Sequence, residues 1–383
     1  MRRTHTEKSR QESAKPPGES FSEARKGSDA TALPGLAAIR TSTNQSITQL
    51  LDREAPRLNA LGLTEHQDAL RSLLLSAGGK RMRALSCLWG WRGAGGTGSQ
   101  GEVHTAAAAL ELNHSAFLIH DDIIDRSELR RGQPTLHRRF ATHHAGRAWH
   151  GDSHVFGDAV ALPLGDLCMA WAGELIGGCA DGDRLRTVMT LYHRMCAEAG
   201  YGETLEAQIQ ADRDYQVDRC MAVATCKAAR YMITPPLLIG AALAGGDEAV
   251  RLAYERFGTA LGEAYQLRDD LLGVFGDPDI TGKPNVDDLR DGKPTVLFAT
   301  ALRTASPAQR GTLLALYGRP DLDEDTADEI RDLLRHTHAA TRVEEMIRAR
   351  SREAARALES APITGEAKAA LQALAAHALF RAR

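Results

Sequence analysis

The stretch AAAALELNHSAFLIHDDIID, Ala106 to Asp125, decides the fold class. It opens on four alanines and is built from helix formers with a long apolar face, so it reads as a helix. Its end carries Asp121, Asp122 and Asp125. At about 100° of turn per residue, these three carboxylates project within one arc of roughly 100°. Held that close they repel and raise each other's pKa unless cations sit among them. Taken alone, such a cluster is a solvated acidic helix face. Its flanks, Leu118, Ile119, Ile123 and Ile124, are apolar and place it in a buried setting instead.

The pattern returns. FGTALGEAYQLRDDLLGVFG, Phe257 to Gly276, is again a long apolar helix, with Asp269 and Asp270 between apolar neighbours. PITGEAKAALQALAAHALFRAR predicts a C-terminal helix. Alternating β-branched runs are nearly absent, so an all-α fold is expected. Gly- and Pro-rich breaks at 90–102, 177–183, 243–248 and 276–288 divide the chain into helices with no evident linker between domains. The acids of YGRPDLDEDTADEI fit a helix start, where the macrodipole favours them. Residues 1 to about 40 are polar and rich in Ser, Lys, Glu and Pro, and read as a disordered tail. Helical patterning begins near Thr43, so residues 41–383 form one domain.

Composition excludes several functions. Of 383 residues, 43% are hydrophobic, as in an ordinary globular protein, and the net charge is −3, without the basic excess of a nucleic-acid binder. Aromatics are 5%, too sparse for base-stacking platforms. Cys87, Cys168, Cys179, Cys196, Cys220 and Cys226 form no CxxC pair and sit in apolar or helical stretches, which suggests reduced thiols in a cytoplasmic protein. The charged start MRRTHTEKSR is followed by no apolar core, so no signal peptide is expected, and no unbroken apolar run predicts a membrane span.

Buried carboxylates with no sulfur or imidazole set at ligand spacing suit a hard divalent cation, Mg²⁺ first. The EF-hand loop and zinc spacings are missing. Basic residues lie in or near glycine-flanked loops: Lys80, Arg81 and Arg83 in GGKRMR, Arg130 and Arg131 after the first acid cluster, Lys283 in TGKP and Lys293 in DGKPT. Lys227 lies in CKAARY, and His114 two helical turns before Asp121. Each alone could be a solvated charge. Together, metal-type acids and phosphate-type bases fit a diphosphate, or two. GGKRMR is no Walker loop, so a nucleoside triphosphate is not implied.

Over most of the chain, from about Gly78 onward, the ordered motifs GGKRMR, DDIIDRSELRRGQPTLH, LRDDLLGVFGD and TGKPNVDDLRDGKPT resemble those of the trans-isoprenyl diphosphate synthases, or polyprenyl synthetases. The resemblance implies an isoprenoid synthase-type helical bundle around a deep central cavity, commonly a homodimer. It implies that isopentenyl diphosphate is condensed head-to-tail with an allylic diphosphate. By resemblance, Asp121, Asp122, Asp125, Asp269 and Asp270 hold three Mg²⁺ on the allylic diphosphate. Arg130, Lys227, Lys283 and Lys293 contact that diphosphate, and Lys80, Arg83, His114 and Arg131 hold that of isopentenyl diphosphate. Family logic makes Phe117 and Ala116, four and five residues before Asp121, the floor that limits product length. Geranylgeranyl diphosphate is the expected product; farnesyl or longer prenyl diphosphates, a class I terpene cyclase and a non-catalytic partner subunit are the alternatives.

Three departures stand out. The second cluster ends in Gly273 where an acid is usual. GETLE, with Glu203 and Glu206, replaces G-Q-x-x-D. Lys227 is followed by Ala228 instead of Thr or Ser.

Overall fold

The computed structural model describes residues 33–75, 81–277 and 285–379. They are helical almost throughout, from Leu36–Ala60 to Gly365–Leu379. The exception is a minimal hairpin, Leu129–Arg130 paired antiparallel with Gln133–Pro134. Its two central residues, Arg131 (φ 54°) and Gly132 (φ 73°), are both left-handed, the geometry a tight two-residue hairpin requires.

Helix ends fall where local chemistry puts them. Asp323 caps Glu324–His336 by accepting from the Thr326 amide, so the acid run is a helix start as expected. Ser306 and Gln309 form a reciprocal capping box on Pro307–Leu316. The first helix among the described residues begins at Leu36, earlier than the tail boundary near residue 40 and the Thr43 start read from composition. Ile39 is fully buried there, and the Trp89 indole donates to the Pro34 carbonyl at 3.1 Å. A few apolar residues at the end of a polar segment are invisible to an average over that segment.

Gly101–Ile124 and Glu248–Phe275, which carry the two acid clusters, run through the bundle centre. The first packs against Ser153–Gly177, and the second against Ala339–Glu359 and a π-helical segment, Thr225–Ile233. That segment leads into Pro235 and Pro236. Their missing amides leave carbonyls one turn back without the usual partner, a local cause for the wider coil.

Ser153–Gly177 is long and apolar enough to cross a membrane by length and composition alone. One face, including Leu164, Cys168, Trp171 and Ile176, is buried in the bundle. The other exposes Val155 (67%) and Leu162 (50%).

Candidate functional site

The two acid clusters meet. Asp121, Asp269 and Asp270 line one cavity of about 230 Å³, together with Lys227, Lys293, Phe117 and Tyr231. Among the described residues no three acids or histidines form a ready-made ion cage. Instead the acids of the first cluster are paired with bases read from the sequence. Lys293 Nζ lies 3.0 Å from Asp125 and 3.8 Å from Asp288. Burial pulls the Lys293 ammonium down, but Asp288, Asp125 and Asp121 outweigh it and hold it above the usual lysine range.

Asp122 faces away from the cavity that Asp121 lines. Asp125 is the cap residue where the helix ends, while Asp122 is turned to Arg130 at 2.6 Å and lines a second cavity of about 620 Å³. Burial pushes the Asp122 carboxyl up in spite of that arginine. Arg130 also reaches Asp121 at 3.4 Å, so both its partners are acids of the first cluster.

Lys227 projects from the π-helical segment to Glu203 at 2.8 Å and makes a very short contact with Glu206. The two acids of the unusual GETLE stretch are thus the partners of this lysine. On Glu248–Phe275, Gln266 donates to Asp270 at 2.9 Å.

The residues assigned to the second diphosphate are divided. Arg83 lines the first cavity and Arg131 the second, while His114 borders both. Arg131 sits at the hairpin tip in a left-handed conformation that costs a non-glycine residue about 1–2 kcal/mol. Burial, then Arg83 and Arg130, hold His114 far below the usual histidine range, so it is an uncharged imidazole. Lys80 and Lys283 lie outside the described residues, as do Arg381 and Arg383. Phe117 lines the cavity, but Ala116 is fully buried and does not. One residue back along a helix is about 100° round, which turns Ala116 into the core.

Sequence reasoning missed two residues. Tyr231 lines the cavity with its ring centroid 5.2 Å from that of Phe117; lying four residues after Lys227 was its only signal. Asp288 also lines the cavity, and a Cβ on Gly273 would overlap its Oδ2. Its carboxylate therefore fills the space beside the position where the second cluster lacks its usual acid.

The donor set fits a hard divalent ion. Carboxylates from two helices face one cavity, and Cys220, which also lines it, is pushed by burial up to about 12 and offers no thiolate.

A bundle of this kind, with acid-bearing helices over a shared cavity, is that of the prenyl-transferring synthases. Residues 65–334 match the polyprenyl synthetase family, and the chain belongs to it. It is 33% identical over 256 residues to the geranylfarnesyl diphosphate synthase of Aeropyrum pernix, covering 66% of this chain and 74% of that one. To the geranylgeranyl diphosphate synthase of Mycobacterium tuberculosis it is 33% identical over 253 residues, covering 66% and 67%. The crystal structure of geranylgeranyl pyrophosphate synthase from Corynebacterium glutamicum, complexed with isoprenyl diphosphate and magnesium, matches with a TM-score of 0.86 at 34% identity, covering 90% of this chain and 99% of that one. The protein is a trans-prenyl diphosphate synthase, a prenyltransferase.

Proposed function

We propose that this synthase elongates an allylic diphosphate with isopentenyl diphosphate to geranylgeranyl diphosphate, using Mg²⁺ held by Asp121, Asp125, Asp269 and Asp270, with Asp122 fixing Arg130. The carrying observation is that Asp121 of the first acid cluster and Asp269 and Asp270 of the second line one cavity together with Phe117. Mg²⁺, when bound, neutralises charge growing on the leaving diphosphate.

The chain's own groups do the rest. Lys227 and Lys293, each paired with carboxylates, present fixed positive charge to the diphosphate as the allylic C–O bond breaks. Arg83, His114 and Arg131 orient isopentenyl diphosphate so that its alkene attacks the allylic carbon, which removes much of the entropic barrier. The proton then lost passes to the departed diphosphate, so no side-chain base is needed. The walls formed by Phe117, Leu118, Val223 and Tyr231 exclude the water that would quench the cation.

Assembly as a homodimer is part of the proposal. Ser153–Gly177 exposes Val155 and Leu162, and Ile124, Leu129 and Trp149 are exposed as well; a second copy of the chain would cover such apolar side chains.

Incubation of the purified protein with labelled isopentenyl diphosphate and dimethylallyl, geranyl or farnesyl diphosphate, with and without Mg²⁺, tests the reading. A twenty-carbon product that needs the metal supports it. Products of another length refute the length assignment, and metal-independent turnover refutes the ion assignment.

A further inference from the structure

Phe117 lies one helical turn before Asp121, on the cavity side. Tyr231 lies four residues after Lys227, a little under one turn of the wider π-helical coil. Each ring therefore sits a turn below a charged group of the site, and the two meet edge to face, at 5.2 Å and 67°. Tyr231 is only 5% exposed.

The same ring touches the other substrate's candidate arginine. Arg83 Cζ stands 4.4 Å from the Tyr231 centroid, a cation–π distance. Arg83 is 6% exposed and its Nε has no hydrogen-bond partner. A guanidinium this buried needs compensation, and the aromatic face supplies part of it before an anion arrives.

We propose that Tyr231 is a specificity-determining residue: with Phe117 it closes the floor against the growing prenyl chain, and its ring face positions Arg83 for isopentenyl diphosphate. Neither residue alone shuts the cavity, because the stop is the contact between the two rings. The inference rests on the prenyl-elongating activity and on the floor role of Phe117.

The experiment compares Phe117→Ala, Tyr231→Leu and Tyr231→Phe, with product length read by mass spectrometry and KM measured for isopentenyl diphosphate. Thermal melts check folding, and Tyr231→Met replaces Tyr231→Leu should the latter not fold. Tyr231→Leu is expected to lengthen the product by at least one five-carbon unit and to raise KM for isopentenyl diphosphate about tenfold. Tyr231→Phe keeps the ring and is expected to keep both near wild type. If Phe117→Ala lengthens the product and Tyr231→Leu does not, this proposal is overturned while the floor role of Phe117 stands. If neither lengthens it, both fail. A lengthened product with unchanged KM overturns the Arg83 half.

Discussion

Lys293 Nζ sits 3.0 Å from the Asp125 carboxylate, tying the irregular segment before Val296–Thr304 to the end of the first acid-bearing helix. Near it, Asp288 faces the second acid-bearing helix at Gly273. One ammonium therefore bridges Asp125 of the first cluster and Asp288, which faces the second acid-bearing helix.

Asp121 lines the cavity at its charged end. Asp121→Ala should lower kcat by about 10³-fold, the scale of losing a preorganised electrostatic contact. The melting temperature should change little, since the side chain is partly exposed. Steady-state kinetics beside a thermal melt checks this; wild-type turnover would refute the metal assignment.

Gly273→Asp would write the usual acid into the second cluster. Its Cβ overlaps Asp288 Oδ2, so the expected result is loss of about 1–3 kcal/mol of stability and reduced turnover. Asp288→Gly added to Gly273→Asp should recover part of both. Denaturant unfolding and kinetics on the two variants decide it.

His114 is held far below its ordinary value of 6.5 by burial and by Arg83, Arg130 and Arg131. A depressed folded pKa means the unfolded chain binds more protons below 6.5. Its contribution to stability is therefore complete above that pH and is lost as pH falls from there. His114→Gln should flatten the dependence of unfolding free energy on pH below 6.5. An unchanged slope would show that other groups carry it.

Leu162 is half exposed on the apolar face of Ser153–Gly177. Leu162→Asp puts a charge where a second copy would pack, so sedimentation should show a shift from dimer to monomer with the helical signal retained. A chain that is monomeric before substitution, or a dimer indifferent to it, would remove this face from the interface.

Helix positions were legible in the sequence because helix formers, caps and glycine breaks act within a few residues. The candidate acids and bases were legible for the same reason: Asp121, Asp269, Lys227 and Lys293 stand in local patterns. That Asp122 faces the second cavity and Ala116 the core was not legible, because a stretch of helix shows angular spacing but not which direction faces the cavity. Tyr231, Asp288 and the pairing of Lys227 with Glu203 and Glu206 had no local pattern beyond proximity to a motif.

The sequence by itself determined an all-α fold with two carboxylate clusters and a set of diphosphate-type bases, since residue type and period are properties of the chain alone; the synthase reading came from the resemblance of its ordered motifs. Only the tertiary structure decided that Asp121 and Asp269 share a cavity, that Arg130 belongs to Asp122, and that Phe117 meets Tyr231. Two of these join residues more than a hundred positions apart, and Arg130 folds back on Asp122 through the hairpin; packing between elements, which no local propensity encodes, sets the distances.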